Sequence, residues 1–327
     1  MPEITARGVR FHVQTLDPVA SAPRPEGPDA PDAPVVVFVH GLAVDNLSSF
    51  YYRLAGPVAA AGARAVLYDQ RGHGLSERPP SGYGPDDAVA DLFGVLDGLG
   101  IGRPVHLVSN SFGGVVALNA ALTRPDRVAG LVMVESYGPA ERPGVWTEPL
   151  LNTMNRAALI LEYERLAAQF AAIGWRKRSR QMAVADALIN HTSLLADLAA
   201  AEPVGPAGLA TLRAPVLAVY GEHSDILTAG RLLAAHVPDC ELHVLPGHAH
   251  TVLSDGTSDL LALMLPWLAR RASEGTSDSG SCAQARSCAE ARGAAPETGP
   301  CAQACGPGPD PGSRAGAREP ICAGGAR

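Results

Sequence analysis

Near-unbroken apolar runs recur along the first half of the chain. They are Val35-Val36-Val37-Phe38-Val39, Ala65-Val66-Leu67-Tyr68, Val105-His106-Leu107-Val108 and the segment from Val128 to Glu135. Each is short, rich in Val and without polar alternation. That pattern predicts strands buried on both faces, as in a parallel sheet. Helical periods separate them. The stretch from Asp86 to about Leu99 carries Val89, Leu92, Phe93 and Leu96 on one helical face. Over residues 35–137 strands and helices alternate, which predicts an α/β fold with a mostly parallel, doubly wound sheet and right-handed crossovers. Residues 3–16 read as one or two antiparallel edge strands. Asp17 to Pro34 is rich in Pro, Asp and Ala and reads as an exposed loop.

The strand rhythm stops at Tyr137. Leu150, Met154, Ala157, Ala158 and Leu161 recur at helical spacing, as do Ile160, Tyr163, Leu166, Ala167 and Phe170. This predicts a helical cap over about 138–206, inserted after the sixth strand. Strands resume at Val216, and a final amphipathic helix is expected over about Ser258 to Arg270. Beyond Arg271 there is no aromatic residue, and Gly, Ala, Ser and Pro dominate. Such a segment buries too little apolar surface to order itself. The expected organisation is a domain over 1–271 with the cap inserted, then a disordered low-complexity tail over 272–327.

The chemistry concentrates where strands end. Ser109-Asn110-Ser111-Phe112-Gly113-Gly114 joins a Val-rich strand to a helical pattern. A sharp strand–turn–helix of this kind lifts a serine nucleophile above the sheet, and the positions two before and two after it must be small. Ser109 and Gly113 meet that demand, although Gly is commoner at the first position. Gly114 lets the helix approach the neighbouring strand closely. A structural βα turn is the bland alternative. Val39-His40-Gly41-Leu42 ends an earlier strand and turns back over the sheet. The Leu42 and Phe112 N–H groups are thereby expected to form an oxyanion hole. Tyr68-Asp69-Gln70-Arg71-Gly72-His73-Gly74-Leu75-Ser76 supplies another strand-end turn. Gly221-Glu222-His223-Ser224-Asp225 and Pro246-Gly247-His248-Ala249-His250 follow two later strands, one offering an acid and the other a histidine.

With these motifs, in the order nucleophile, acid, histidine, the chain resembles the α/β-hydrolase fold family from about residue 5 to about residue 271. The resemblance implies a Ser-His-acid triad, because a serine hydroxyl needs a base, and the base an orienting anion. His250 is the expected base, with His248 the competitor. Asp225 is the expected acid. Its spacing from Gly221 is one residue longer than the commonest Gly-x-x-Asp, so Glu222 stays in play. So does Glu135, since some members take the acid from the end of the preceding strand. Asp69 is expected to organise its own turn with Arg71. His40 and His73 read as packed turn residues, and His106, His191, His223, His236 and His243 as surface or satisfied histidines.

Composition narrows the class. The 327 residues suffice for one large core, and a net charge of −7 without a basic stripe argues against nucleic acid. Lys177 is the only lysine, which with the many Arg, Ala, Gly and Pro reads as GC-rich coding bias. No run approaches the roughly 20 apolar residues of a membrane helix, and no signal layout opens the chain. A soluble, cytoplasmic protein is expected. Cys240 alone falls in the folded part; the five tail cysteines lack zinc-ligand spacing and any nearby His. No cofactor or metal is expected. The expected partner is a small-molecule substrate.

The expected function is a serine hydrolase acting on a carboxylic ester or thioester through an acyl-enzyme. The elbow is also similar to those of hydrolases that cleave carbon–carbon bonds in dienoates. The same scaffold hosts thioesterases, cyclases and eliminating enzymes of secondary metabolism, and non-catalytic small-molecule binders. Arg176, Lys177, Arg178 and Arg180 read as a solvated helix face. Trp146, Leu150, Met154, Phe170 and Trp175 read as cap core.

Overall fold

The computed structural model describes residues 3–19, 33–43, 45–141 and 176–290; the side chains of 176–182 and 274–290 lie outside the description. The strands are β1 (Glu3–Ala6), β2 (Val9–Leu16), β3 (Val35–Val39), β4 (Arg64–Tyr68), β5 (Val105–Ser111), β6 (Val128–Ser136), β7 (Val216–Gly221) and β8 (Cys240–Leu245). They form one sheet in the order β1-β2-β4-β3-β5-β6-β7-β8. β1 pairs with β2 and β2 with β4 in antiparallel fashion, and every later pairing is parallel. The chain is therefore α/β with a mostly parallel, doubly wound sheet.

Two faces of this sheet explain the unbroken apolar runs. Along β3, Val35, Val37 and Val39 join one buried cluster while Val36 and Phe38 join the other. Leu131 and Met133 of β6 alternate with Val132 and Val134 in the same way. Period-two side chains meet apolar partners on both sides, so no polar position is left. The first face packs α3 (Pro85–Gly98), α4 (Gly113–Thr123) and α8 (Leu227–His236). The second packs a helical stretch over 48–60, which holds α1 (Ser48–Phe50), a π-helical turn (Tyr51–Ala55) and α2 (Gly56–Ala60). It also packs α9 (Val252–Asp255) and α10 (Thr257–Glu290). Trp267 of α10 is fully buried there; truncating such a side chain costs about 3–5 kcal/mol.

After β6 the chain leaves the sheet, and it returns at β7. The described part of this insertion holds α5 (Arg176–Asn190), α6 (Leu194–Ala200) and α7 (Pro206–Leu209). Leu188, Leu194 and Leu198 are buried against the first face. The expected cap residues Trp146, Leu150, Met154, Phe170 and Trp175, and the basic side chains Arg176 to Arg180, lie outside the described residues. The backbone of α10 continues to Glu290, past the expected end near Arg270. Residues 291–327 also lie outside the description.

Candidate active site

The nucleophile turn is dictated by sterics. Ser111 has φ 53°, a left-handed conformation that a side chain adopts at a cost of about 1–3 kcal/mol. Phe112 is already helical, and α4 starts at Gly113. A Cβ on Gly113 would lie 2.0 Å from the Val39 carbonyl oxygen, and one on Gly114 2.3 Å from Ser136 Cβ. Neither position can carry a side chain. Ser109 is fully buried with its hydroxyl 3.2 Å from that of Ser136, so a serine fits where glycine is commoner.

The loop opposite is held by a separate polar net. Asp45 accepts the Gly41 N–H at 2.7 Å and the Asn46 N–H at 2.9 Å. His73 Nε2 accepts the Ala43 N–H at 3.1 Å while its Nδ1–H donates to the Arg71 carbonyl at 2.8 Å. His40 Nδ1–H donates to the Gly41 carbonyl, and His40 Nε2 accepts the Gln70 N–H. Burial, with the nearby His40 ring adding to it, pushes His73 down to about 3, so it stays neutral. Ala43 takes φ 64°, a left-handed conformation within this loop. A Cβ on Gly41 would lie 3.2 Å from Ser111 Cβ, so this loop lies against the nucleophile. Among the described residues no acceptor is assigned to the Leu42 or Phe112 amide.

The carboxylate that meets His250 is not the one the sequence singles out. His250 Nδ1 lies 3.1 Å from Glu135 Oε2. Glu135 is 1% exposed at the end of β6 and takes φ 45°. Its carboxylate also accepts the Gly221 N–H and the Ser224 hydroxyl. Three donors compensate its burial. Asp225, the expected acid, is exposed and lines a cavity of about 720 Å³ with Tyr137, Pro139, Glu141, Ile226 and Leu232; among the described residues no hydrogen bond or ion pair joins it to His250. The extra residue after Gly221 explains this. It puts Ser224 at the Asp position of Gly-x-x-Asp, where its hydroxyl meets Glu135. Glu222 is also exposed and accepts the Gly247 N–H.

The histidine loop is clamped to the end of β7. His223 N–H donates to the His248 carbonyl at 2.8 Å, and Glu222 N–H to the Leu245 carbonyl at 2.9 Å. A Cβ on Gly221 would lie 2.3 Å from the His248 carbonyl oxygen. His248 turns toward Gly256, whereas His250 faces Glu135 with its ring 5.9 Å from that of Tyr137. Tyr137 N–H in turn donates to the Ser111 carbonyl, linking the histidine's surroundings to the elbow. Among the described residues no hydrogen bond joins Ser111 to His250; in unliganded sites such contacts often tighten only when substrate binds.

Other expectations change in detail. Asp69 accepts the Leu47 and Leu75 N–H groups and faces His12, while Arg71 pairs with Asp91 at 2.8 Å instead of with Asp69. His106 is neither on the surface nor satisfied: it is buried against Trp267 with Nδ1 unpartnered, and burial pushes it down to about 4. Among the described residues no group of three or more His, Cys, Asp or Glu is gathered to hold a metal ion, and no helix is long and apolar enough to cross a membrane. Glu135 was legible only as one of several strand-end carboxylates. Ser224 carries no signal beyond its spacing from Gly221.

An elbow serine, a loop of amides beside it and a carboxylate–histidine pair at the C-terminal edge of a parallel sheet define a hydrolase-type fold and site. Residues 36–262 match the model of the alpha/beta hydrolase family, and the chain belongs to that family. It is 30% identical over 239 residues to the dihydrolipoyllysine-residue acetyltransferase component of the acetoin cleaving system of Pseudomonas putida, covering 71% of this chain and 63% of that one. It is 28% identical to the 2-hydroxy-6-oxo-6-phenylhexa-2,4-dienoate hydrolase of Burkholderia cepacia, over 74% of this chain and 90% of that one. The crystal structure of the enol-lactonase from Burkholderia xenovorans LB400 superposes with a TM-score of 0.59 at 20% identity, covering 82% of this chain and all of that one.

Proposed function

We propose that the protein is a serine hydrolase of carboxylic esters or thioesters, with Ser111 as nucleophile, His250 as base and Glu135 as the acid that orients it. The observation that carries this reading is the buried Glu135 carboxylate at His250 Nδ1, beside a serine held at positive φ. A carboxylate at Nδ1 fixes the tautomer that leaves Nε2 free to accept a proton. Ser111 Oγ attacks the substrate carbonyl carbon as His250 takes its proton. The oxyanion is held by the Leu42 and Phe112 N–H groups, each worth about 3 kcal/mol in such sites. The imidazolium then protonates the leaving alcohol or thiol. Water, deprotonated by the same histidine, attacks the acyl-enzyme and releases the acid.

A second reading is carbon–carbon bond hydrolysis of dienoates. It is favoured by the likeness to the dienoate hydrolase and by Asn110-Ser111 in the elbow. Covalent labelling with a fluorophosphonate and peptide mapping tests the shared core: modification of Ser111 is expected, and a folded protein that resists labelling contradicts it. A panel of p-nitrophenyl esters, acyl thioesters and dienoates then ranks the readings.

A further inference from the structure

Gly221 and Ser224 sit at the spacing where an acid after β7 would ordinarily stand, yet residue 224 is a serine. Its hydroxyl donates to Glu135 Oε2, the same oxygen that faces His250 Nδ1. The direction follows from the carboxylate, which only accepts, and Ser224 Oγ in turn accepts the Ile226 N–H at 3.4 Å. The turn that holds it is closed by Ser224 N–H to the Gly221 carbonyl at 3.2 Å. Gly221 N–H meanwhile donates to Glu135 Oε1. One short turn of the β7–α8 loop thus grips both oxygens of a carboxylate that arrives from β6.

We infer that Ser224 is a positioning residue: its hydroxyl holds the Glu135 carboxylate against His250, from the place where a carboxylate on the β7 loop would itself reach that histidine. The inference rests on the proposed role of Glu135. Ser224 remains a donor throughout and exchanges no proton with substrate. A carboxylate buried with one donor missing can turn about its last side-chain bond. A hydrogen bond from a neutral donor to a charged acceptor resists that turning. The effect belongs in the chemical step, because Ser224 acts on the acid and not on the substrate.

The test uses the full chain, with p-nitrophenyl acetate turnover and the rate of fluorophosphonate labelling of Ser111 as readouts. Ser224→Ala is expected to lower kcat and the labelling rate by about 10- to 100-fold, the range for a hydrogen bond to a charged group, with KM within about twofold. Ser224→Thr, which keeps the hydroxyl, is expected to restore most of the rate. Placing the acid on the loop, in Glu135→Gln with Ser224→Asp, is expected to recover at least about tenfold over Glu135→Gln alone. Wild-type kcat in Ser224→Ala overturns the inference. So does a loss that Thr does not restore, or a double variant that folds but gains nothing. Wild-type rates in Glu135→Gln would instead overturn the reading on which it rests.

Discussion

The ends of β5 and β6 and the loops after β7 and β8 converge on one site but are built differently. Ser111 and Glu135 stand at the ends of adjacent parallel strands, each in a left-handed conformation, with the register shifting between Asn110 and Ser111. Their positions are set by the sheet. Asp225 and His250 ride on loops; Asp225 is exposed, and the His250 side chain is 34% exposed. Backbone clamps between the two loops decide which of their side chains faces the strand ends. The difference teaches that the sheet fixes where a carboxylate can be buried, and the clamps between the loops then decide which histidine meets it.

The sharpest break in this comparison is within the histidine loop itself. On the proposed mechanism, His250→Ala is expected to lower kcat by about four to six orders of magnitude, the range for loss of a triad histidine. His248→Ala, two residues away and turned toward Gly256, is expected to stay within a few-fold. Steady-state turnover of both folded variants checks this, and equal losses would mean that the clamp does not select His250. A smaller effect is expected where the loops touch. In Gly221→Ala the added Cβ would meet the His248 carbonyl oxygen at 2.3 Å, forcing the histidine loop outward. We expect a loss of stability of about 1–3 kcal/mol, the range for overpacking, together with lower turnover. Urea denaturation and kinetics read the two effects separately, and unchanged values for both would show that the contact is not tight.

The smallest effect concerns two buried histidines, His73 in the turn after β4 and His106 near the start of β5. Burial holds His73 at about 3 and His106 at about 4. Both would bind a proton near pH 6.5 once unfolded. The unfolded chain therefore takes up more protons as pH falls below about 6.5. Their contribution is fully present above that value and is lost progressively toward the folded values. Between pH 7 and 5 stability is expected to fall by on the order of 1 kcal/mol for each histidine. His106→Phe should flatten the slope measured by urea denaturation. A slope unchanged by that substitution would mean that His106 is protonated inside the fold.

The sheet was legible because two-sided burial leaves unbroken apolar runs, and β3 to β7 fall where those runs do. The elbow was legible because its constraint is steric: no side chain fits at Gly113 or Gly114, and that absence is written in the residue types. The carboxylate that meets His250 was not, because reach decides it. Asp225 and Glu135 are both carboxylates after strands, and one added loop residue moves the first out to the solvent. Nothing local to Glu135 records that the Gly221 amide and the Ser224 hydroxyl will meet it. The partner of Arg71 went astray for the same reason. Asp91, on α3, is twenty positions away, whereas Asp69 is two.

The central claim is that the acid comes from β6. It is tested most directly by measuring kcat/KM, with the Ser111 labelling rate, for Glu135→Gln beside Asp225→Asn in the full chain. The amide at 135 leaves the shape intact and removes the charge that fixes the His250 tautomer. The account predicts a loss of about three to four orders of magnitude for Glu135→Gln and a change within about threefold for Asp225→Asn. The reverse ranking would contradict it and return the acid to the loop after β7.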